Sequence, residues 1–411
     1  MSITVSDNGR RRVGRWARRR SASALAVVPV NCQFEHMAVN QRLRALLTIS
    51  DLDIVTCYPE SIPPDIAGRA RVRSLPLSRC QSSAALKTLL FTAEITFWSF
   101  IQRLLRRRYE VVYTIQDTSA VAGRILRARA DRWVLDVLDD PALSVLNATR
   151  SAQRVKTGIM RAHEKMTGAL LPHADLLLTI GMNQHDPLPR LLTGHYRVPP
   201  STVVPLRQCV DIGRIREIAG PPPTADSGTD TPRVTYVGYV SRLRGVDTLL
   251  DAGMLLRDRG VDVHIVLIGH LKTREQAWID SASGELPGLD YLGVLPSSDT
   301  LKEMARTTIG LLPFPDRRET APVQQVTGVE FLALGKPIVA TDLPGARALV
   351  EQGVNGILVP PGDAVAMANA IAAIVTNSGI AVAMGRASYE RAEMFDATIV
   401  RKEIMYALRN R

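Results

Sequence analysis

One rhythm limits what this 411-residue chain can fold into. Short apolar runs rich in β-branched residues alternate with helical patterns of about 10–20 residues. The runs fall at 24–30, 53–57, 111–114, 133–137 and 176–180, and again at 234–237, 263–268, 309–312, 337–340 and 356–359. Such alternation predicts parallel sheets covered by helices, an α/β class. It is interrupted once, at Gly220-Pro-Pro-Pro-Thr-Ala-Asp-Ser-Gly-Thr-Asp-Thr-Pro232, whose composition predicts a linker. The chain therefore divides into two similar halves of ordinary domain size. Two Rossmann-like domains facing a central cleft would place a ligand between them.

Charge narrows the partners. The net charge is +11, carried almost wholly by arginine. Residues 1–20 hold seven Arg against one Asp, so about six of those eleven charges lie in a basic tail. The excess is not spread over a face and no stacking-aromatic motif accompanies it, so a nucleic-acid partner is not expected. Phosphorylated small molecules and anionic lipid remain. Cys32, Cys57, Cys80 and Cys209 form neither a Cys-x-x-Cys pair nor a zinc-ligand spacing. No metal site is expected, and a reducing cytoplasm is the expected location. The Arg-rich start followed by residues 24–30 is read as a tail and a first strand rather than a cleaved signal, because no small-residue cleavage site follows. No run reaches the ~18–20 apolar residues of a spanning helix.

The most informative residues run from Val234 to Asp363. They contain Tyr236-Val-Gly-Tyr-Val-Ser-Arg-Leu-Arg-Gly-Val-Asp-Thr-Leu-Leu250, then Val266-Leu-Ile-Gly269, then Gly293-Val-Leu-Pro296 and Gly310-Leu-Leu-Pro-Phe314. They close with Gly328-Val-Glu-Phe-Leu-Ala-Leu-Gly-Lys-Pro-Ile-Val-Ala-Thr341 and Gly353-Val-Asn-Gly-Ile-Leu-Val-Pro-Pro-Gly-Asp363. In this order the segments resemble the retaining, family-4 glycosyltransferases of GT-B fold. The first half is similar more loosely, through 109–113, 134–139 and 174–180. The resemblance implies transfer of a sugar from a UDP- or GDP-sugar, with retention and without a bound metal or other cofactor. A glycan, a lipid-linked precursor or a small molecule would accept it. A nucleotide-sugar epimerase and a catalytically weak subunit of a glycan assembly complex are the alternatives.

The residue types suit that chemistry. A departing nucleoside diphosphate gathers negative charge, which fixed cations and backbone N–H groups stabilise. Arg244 occupies the position of the family's lysine and is the first candidate, with Arg242 as a second. The resemblance extends the donor-binding set to Gly238, Thr327, Gly328, Val329 and Glu330. Glu330 would hold the ribose hydroxyls; the competing reading is a capping box, Thr327-x-x-Glu330. Gly335 is expected to end that helix, with Lys336 and Pro337 shaping the turn that follows. Asp363 reads as an N-cap. Departures from the family pattern fall at Tyr239, where the family has arginine, at Pro322, which replaces a sugar-side glutamate, and at Gln208-Cys209 in the hinge. Glu319 is the nearest substitute for the sugar contact.

In the first half Gln116-Asp117 follows a strand, and Asp117 is the candidate for catalytic or sugar contact there. Asp136 and Asp139 resemble a family Asp-x-x-Asp, and His36 is read as a loop residue. The expected division is a basic tail 1–21, an acceptor-side domain 22–205, a hinge and linker 206–232, a nucleotide-sugar domain 233–385, and a terminal helix 386–411 packing back on the first domain. Finally, 86–108 carries two apolar stripes. Leu86, Leu90, Ala93, Phe97, Ile101 and Leu104 are expected to face the sheet. Phe91, Ile95 and Trp98, with Arg106-Arg107-Arg108, are expected to meet an anionic membrane at the inner face of the cell membrane.

Overall fold

A computed structural model describes residues 23–29, 38–79, 84–116, 119–140, 164–220, 231–317 and 325–410. His36, Asp117, Glu319, Pro322 and residues 221–230 of the expected linker lie outside the described residues.

The first domain runs β1 (Ser23–Val28), α1 (Ala38–Ile49), β2 (Asp51–Thr56), α2 (Pro64–Ala67), β3 (Arg71–Ser74), α3 (Pro76–Arg79), α4 (Ala84–Leu104), β4 (Tyr109–Ile115), α5 (Ala120–Leu126), β5 (Ala130–Val137), β6 (Leu176–Ile180), α6 (Pro187–Arg190) and β7 (Val203–Leu206). Its seven strands are all parallel in the order β3-β2-β1-β4-β5-β6-β7. Side chains alternate across the sheet with period two. Ala24, Ala26 and Val28 join the face covered by α1, while Leu25 and Val27 join the face covered by α4.

The second domain opens with α7 (Ile212–Ala219) and continues β8 (Arg233–Val237), α8 (Val246–Asp258), β9 (His264–Ile268), α9 (Gln276–Glu285), β10 (Leu289–Tyr291), α10 (Ser297–Ala305), β11 (Ile309–Leu312), α11 (Val326–Ala333), β12 (Ile338–Thr341), α12 (Pro344–Leu349), β13 (Gly356–Val359), α13 (Ala364–Val375) and α14 (Ser378–Ala392). Its strands follow β10-β9-β8-β11-β12-β13, again parallel. Both sheets thus reverse strand order once, between β1 and β4 and between β8 and β11. Ligands of doubly wound sheets settle beyond the carboxyl ends of the strands at such a switch.

The two domains are joined twice, side by side. Val210 pairs with Asp396 as a parallel bridge, its N–H reaching the Phe395 carbonyl at 3.1 Å and its carbonyl accepting from the Ala397 N–H at 2.8 Å. Beyond this crossing α15 (Ala397–Asn410) packs on α1 and places Val400, Ile404, Ala407 and Leu408 in the first domain's core. The helix α14 is continuous through residue 386, so the crossing sits at 393–396.

One expectation is corrected and one competing reading falls. Helix α4 turns the other way: Phe91 and Ile95 are wholly buried, whereas Phe97, Ile101 and Leu104 are exposed. Thr327 is the second residue of α11, and Gln325 is its N-cap, with no side-chain cap bond. The capping-box reading of Thr327 and Glu330 therefore fails on position. Gly335 does follow the end of α11 in the left-handed conformation (φ 65°), and the Asp363 side chain accepts from the Ala366 N–H at the start of α13.

Candidate active site between the domains

The second domain's switch point is built from three closely fitted loops. The chain leaves β8 at Gly238 (φ 152°) and passes Tyr239, Val240 and Ser241 before the single turn Arg242–Arg244. Gly245 then takes the left-handed conformation (φ 78°) and opens α8. A Cβ on Gly245 would lie 1.7 Å from the Pro313 carbonyl oxygen, just beyond β11. A Cβ on Gly269, beyond β9, would lie 2.0 Å from the Gly238 carbonyl oxygen. The backbones of these loops touch, so glycine is required at both positions. The buried Tyr236 hydroxyl donates to the Tyr239 carbonyl at 2.9 Å and braces the first loop from below.

Arg244 stands on this scaffold. Its guanidinium lies 5.8 Å from the Phe314 ring, and it makes no ion pair among the described residues. Across the cleft Asp139, from the loop after β5, feels its charge. Asp139 is solvent-accessible, yet the protein crowded around it raises its pKa; Arg244 opposes that rise and Asp140 adds to it. Arg242 points elsewhere: its guanidinium stacks 4.7 Å from the Trp278 ring on α9. Tyr239 is exposed and meets His270 edge-on at 5.4 Å.

The N-terminus of α11 lies at the same end of the sheet. Gly328 and Val329 direct their N–H groups to the Gln325 carbonyl, at 3.1 and 3.3 Å. The Val329 side chain is core, and Gly328 allows the helix to approach Leu349 and Leu312. Glu330 is 6% exposed and engaged with a neighbouring group. Lys336, at the far end of this helix, is buried, and burial lowers its pKa to about 8.

On the first domain the switch point is marked by Gln116, which follows β4 in the left-handed region (φ 59°), rare for a residue with a side chain. Its N–H is held by the Asp136 carbonyl at 2.7 Å. Asp136 itself is structural. It is fully buried, 2.5 Å from Arg42 on α1, and accepts from the Tyr113 hydroxyl at 2.6 Å. Burial raises its pKa, against the pull of Arg42 and the Tyr113 bond. At the hinge, burial pushes the Cys209 thiol up to about 11, which makes it inert.

Two features escaped sequence reasoning. One is the Arg42–Asp136 pair, whose signal was an arginine on the apolar side of a helical pattern. The other is a cavity of about 860 Å³ lined by Met182, His185 and Arg190 of the first domain and by Pro344, Arg347 and Arg391 of the second. No sequence motif announces the latter, since it arises where the domains meet.

Residues 231–377 match the family described as glycosyl transferases group 1. That match falls on the second domain, from the residues just before β8 to the end of α13. Among curated proteins, the phosphatidyl-myo-inositol mannosyltransferase of Mycobacterium leprae is 27% identical over 173 residues, 42% of this chain and 45% of that protein. The D-inositol 3-phosphate glycosyltransferase of Mycolicibacterium gilvum is 26% identical over 292 residues, 68% of this chain and 63% of that one. The match thus spans less than two thirds of either relative. Sucrose-phosphate synthase from Thermosynechococcus elongatus superposes on 93% of this chain and 97% of its own with a TM-score of 0.68 at 17% identity. Anabaena HepE, solved with UDP and glucose, superposes on 95% and 100% with a TM-score of 0.67 at 17% identity. The segment matched by that family therefore sits within a whole-chain GT-B fold of two parallel-sheet domains.

Proposed function

We propose that the chain transfers a sugar from a UDP- or GDP-sugar to a glycan, lipid-linked or small-molecule acceptor, with retention and without a metal. The observation that carries this reading is the placement of Arg244. It is an arginine without an ion-pair partner among the described residues, next to Gly245 at the switch point, and its charge acts on Asp139 of the first domain. A rigid cation there can grip pyrophosphate oxygens as charge develops. The first turn of α11 adds its dipole to the same anion. Glu330 would exchange its present contact for the ribose hydroxyls. The acceptor hydroxyl would enter on the face the pyrophosphate leaves, its proton passing to a phosphate oxygen. The relatives named above, whose names specify mannosyl and inositol-phosphate glycosyl transfer, favour an acceptor bearing polyol or lipid.

The test is a panel of UDP- and GDP-sugars read by thermal shift and by donor turnover. A shift with one donor and its hydrolysis or transfer supports the proposal. Stabilisation by a donor with no turnover under any acceptor would favour a second reading, a nucleotide-sugar-binding subunit, for which Tyr239 in place of the family's arginine is the motivating observation.

A further inference from the structure

Among the described residues of the first domain, most of the exposed large apolar side chains gather on the lower half of α4 and the turn after it. Phe97 and Leu104 are 69% and 79% exposed, and Phe100, Ile101 and Leu105 are exposed beside them. At ~100° per residue these five lie within one arc of the helix, opposite the arc of Phe91, Ile95 and Ser99 that packs on the sheet. Single exposed apolar residues are ordinary, but five on one face are not. Glu94, the one acid on α4, accepts from the Leu77 N–H at 2.7 Å.

The rim of this face is cationic. Arg103 is on the helix, and the chain turns at its end with Arg106 in the left-handed conformation (φ 58°), its N–H on the Arg103 carbonyl at 3.3 Å. That position normally favours glycine. Here it begins Arg106-Arg107-Arg108, of which Arg107 pairs with Asp53 at 2.7 Å and the other two have no ion-pair partner among the described residues. Arg73 on the edge strand β3 acts on Tyr109 together with Arg107, which places it in the same cluster. Among the described helices no single one is long and apolar enough to cross a membrane.

We infer that this face docks on an anionic lipid surface, with Phe97, Phe100, Ile101, Leu104 and Leu105 entering the headgroup boundary and the arginines meeting lipid phosphates. Apolar insertion combined with basic charge is the makeup of an interfacial helix. A second copy of the chain fits less well, because a two-fold contact would bring the two arginine clusters against each other. The inference is independent of the catalytic proposal, since none of these residues lies at the cleft.

The full-length chain should sediment with vesicles of phosphatidylcholine and phosphatidylglycerol, bind phosphatidylcholine alone much more weakly, and be released by salt. Phe97→Ser with Leu104→Ser should lower the partition coefficient roughly 10-fold or more while leaving the melting temperature near that of the wild type. Arg103→Glu with Arg106→Glu should remove the preference for the anionic lipid. Phe91→Ser, a change on the buried arc, serves as the folding control and should destabilise the chain. Equal binding to both vesicle types would overturn the inference. So would unchanged binding of the Phe97→Ser, Leu104→Ser variant, which would assign the affinity to the basic tail. A wild-type dimer that this variant renders monomeric, with no vesicle binding by either, would assign the face to self-association instead.

Discussion

The substitution Gly245→Ala separates a scaffolding role for this glycine from a merely permissive one. Two costs can be worked from the geometry. Alanine at φ 78° costs on the order of 1–2 kcal/mol. The added carbon would also stand 1.7 Å from the Pro313 carbonyl oxygen. A carbon–oxygen contact settles near 3.3 Å or more, so the loops must part by roughly 1.6 Å. A carbonyl in a packed loop cannot swing aside as a side-chain tip can. The displacement falls on Arg244, the adjacent residue, and misplacement of a catalytic group by about 1 Å can cost about 10²-fold in rate. Gly245→Ala should therefore lose at least that factor in kcat while the protein remains folded, with its melting temperature lowered by several degrees. Gly253→Ala is the matched control on α8. Its Cβ would meet the end of the Ile265 side chain at 2.5 Å, which can rotate away. Thermal denaturation and donor turnover, measured on both, decide the matter. Wild-type turnover in Gly245→Ala would refute the argument that this contact positions Arg244.

Arg244→Ala should reduce turnover roughly 10²–10³-fold, whereas Glu330→Ala should chiefly weaken nucleotide binding; a Glu330→Ala variant that loses stability but keeps its nucleotide affinity would return Glu330 to the core. Activity should survive EDTA, and a complete loss restored by added metal would contradict the proposed mechanism. Lys336 offers a pH test, because burial lowers its pKa from 10.5 to about 8. Below about pH 8 both folded and unfolded chains carry the proton and the burial cost is fully present; between 8 and 10.5 the folded chain sheds it first, so stability contributed by this group rises with pH. Lys336→Met should accordingly be more stable near pH 7, by roughly 3 kcal/mol, and the margin should vanish by about pH 10.5; a margin that does not change with pH would refute the burial cost.

How far the fold could be read from sequence is decided by burial. Ten strands were legible because each is an apolar run of four or more residues. The three that were not are β3, β7 and β10, and all three are outer strands of their sheets. Arg71–Ser74 alternates exposed and half-buried positions, Val203–Leu206 contains Pro205, and Leu289–Tyr291 has three residues. An outer strand is paired on one side only and needs less apolar character. Helix α4 failed differently. Its two stripes are both apolar, and periodicity reports that a helix has faces without reporting which one the sheet takes. The wholly buried Phe91 and Ile95 show the answer was settled by fit against the sheet rather than by stripe length.

The site divides along the same line. Loops that follow strands within one domain leave local marks: a glycine where backbones touch, as at 245 and 269, and an arginine between them. These marks could be read in order along 234–363. Features made by two distant segments leave none. The Asp139–Arg244 approach joins the end of β5 to the start of α8, and the 860 Å³ cavity joins α6 to α12 and α14. Each depends on how the paired crossing at Val210 and Asp396 sets one domain over the other. That crossing is held by two backbone hydrogen bonds, which any residues other than proline could make. The geometry that brings donor-side and acceptor-side groups together is thus carried by backbone, and side-chain patterns are silent about it.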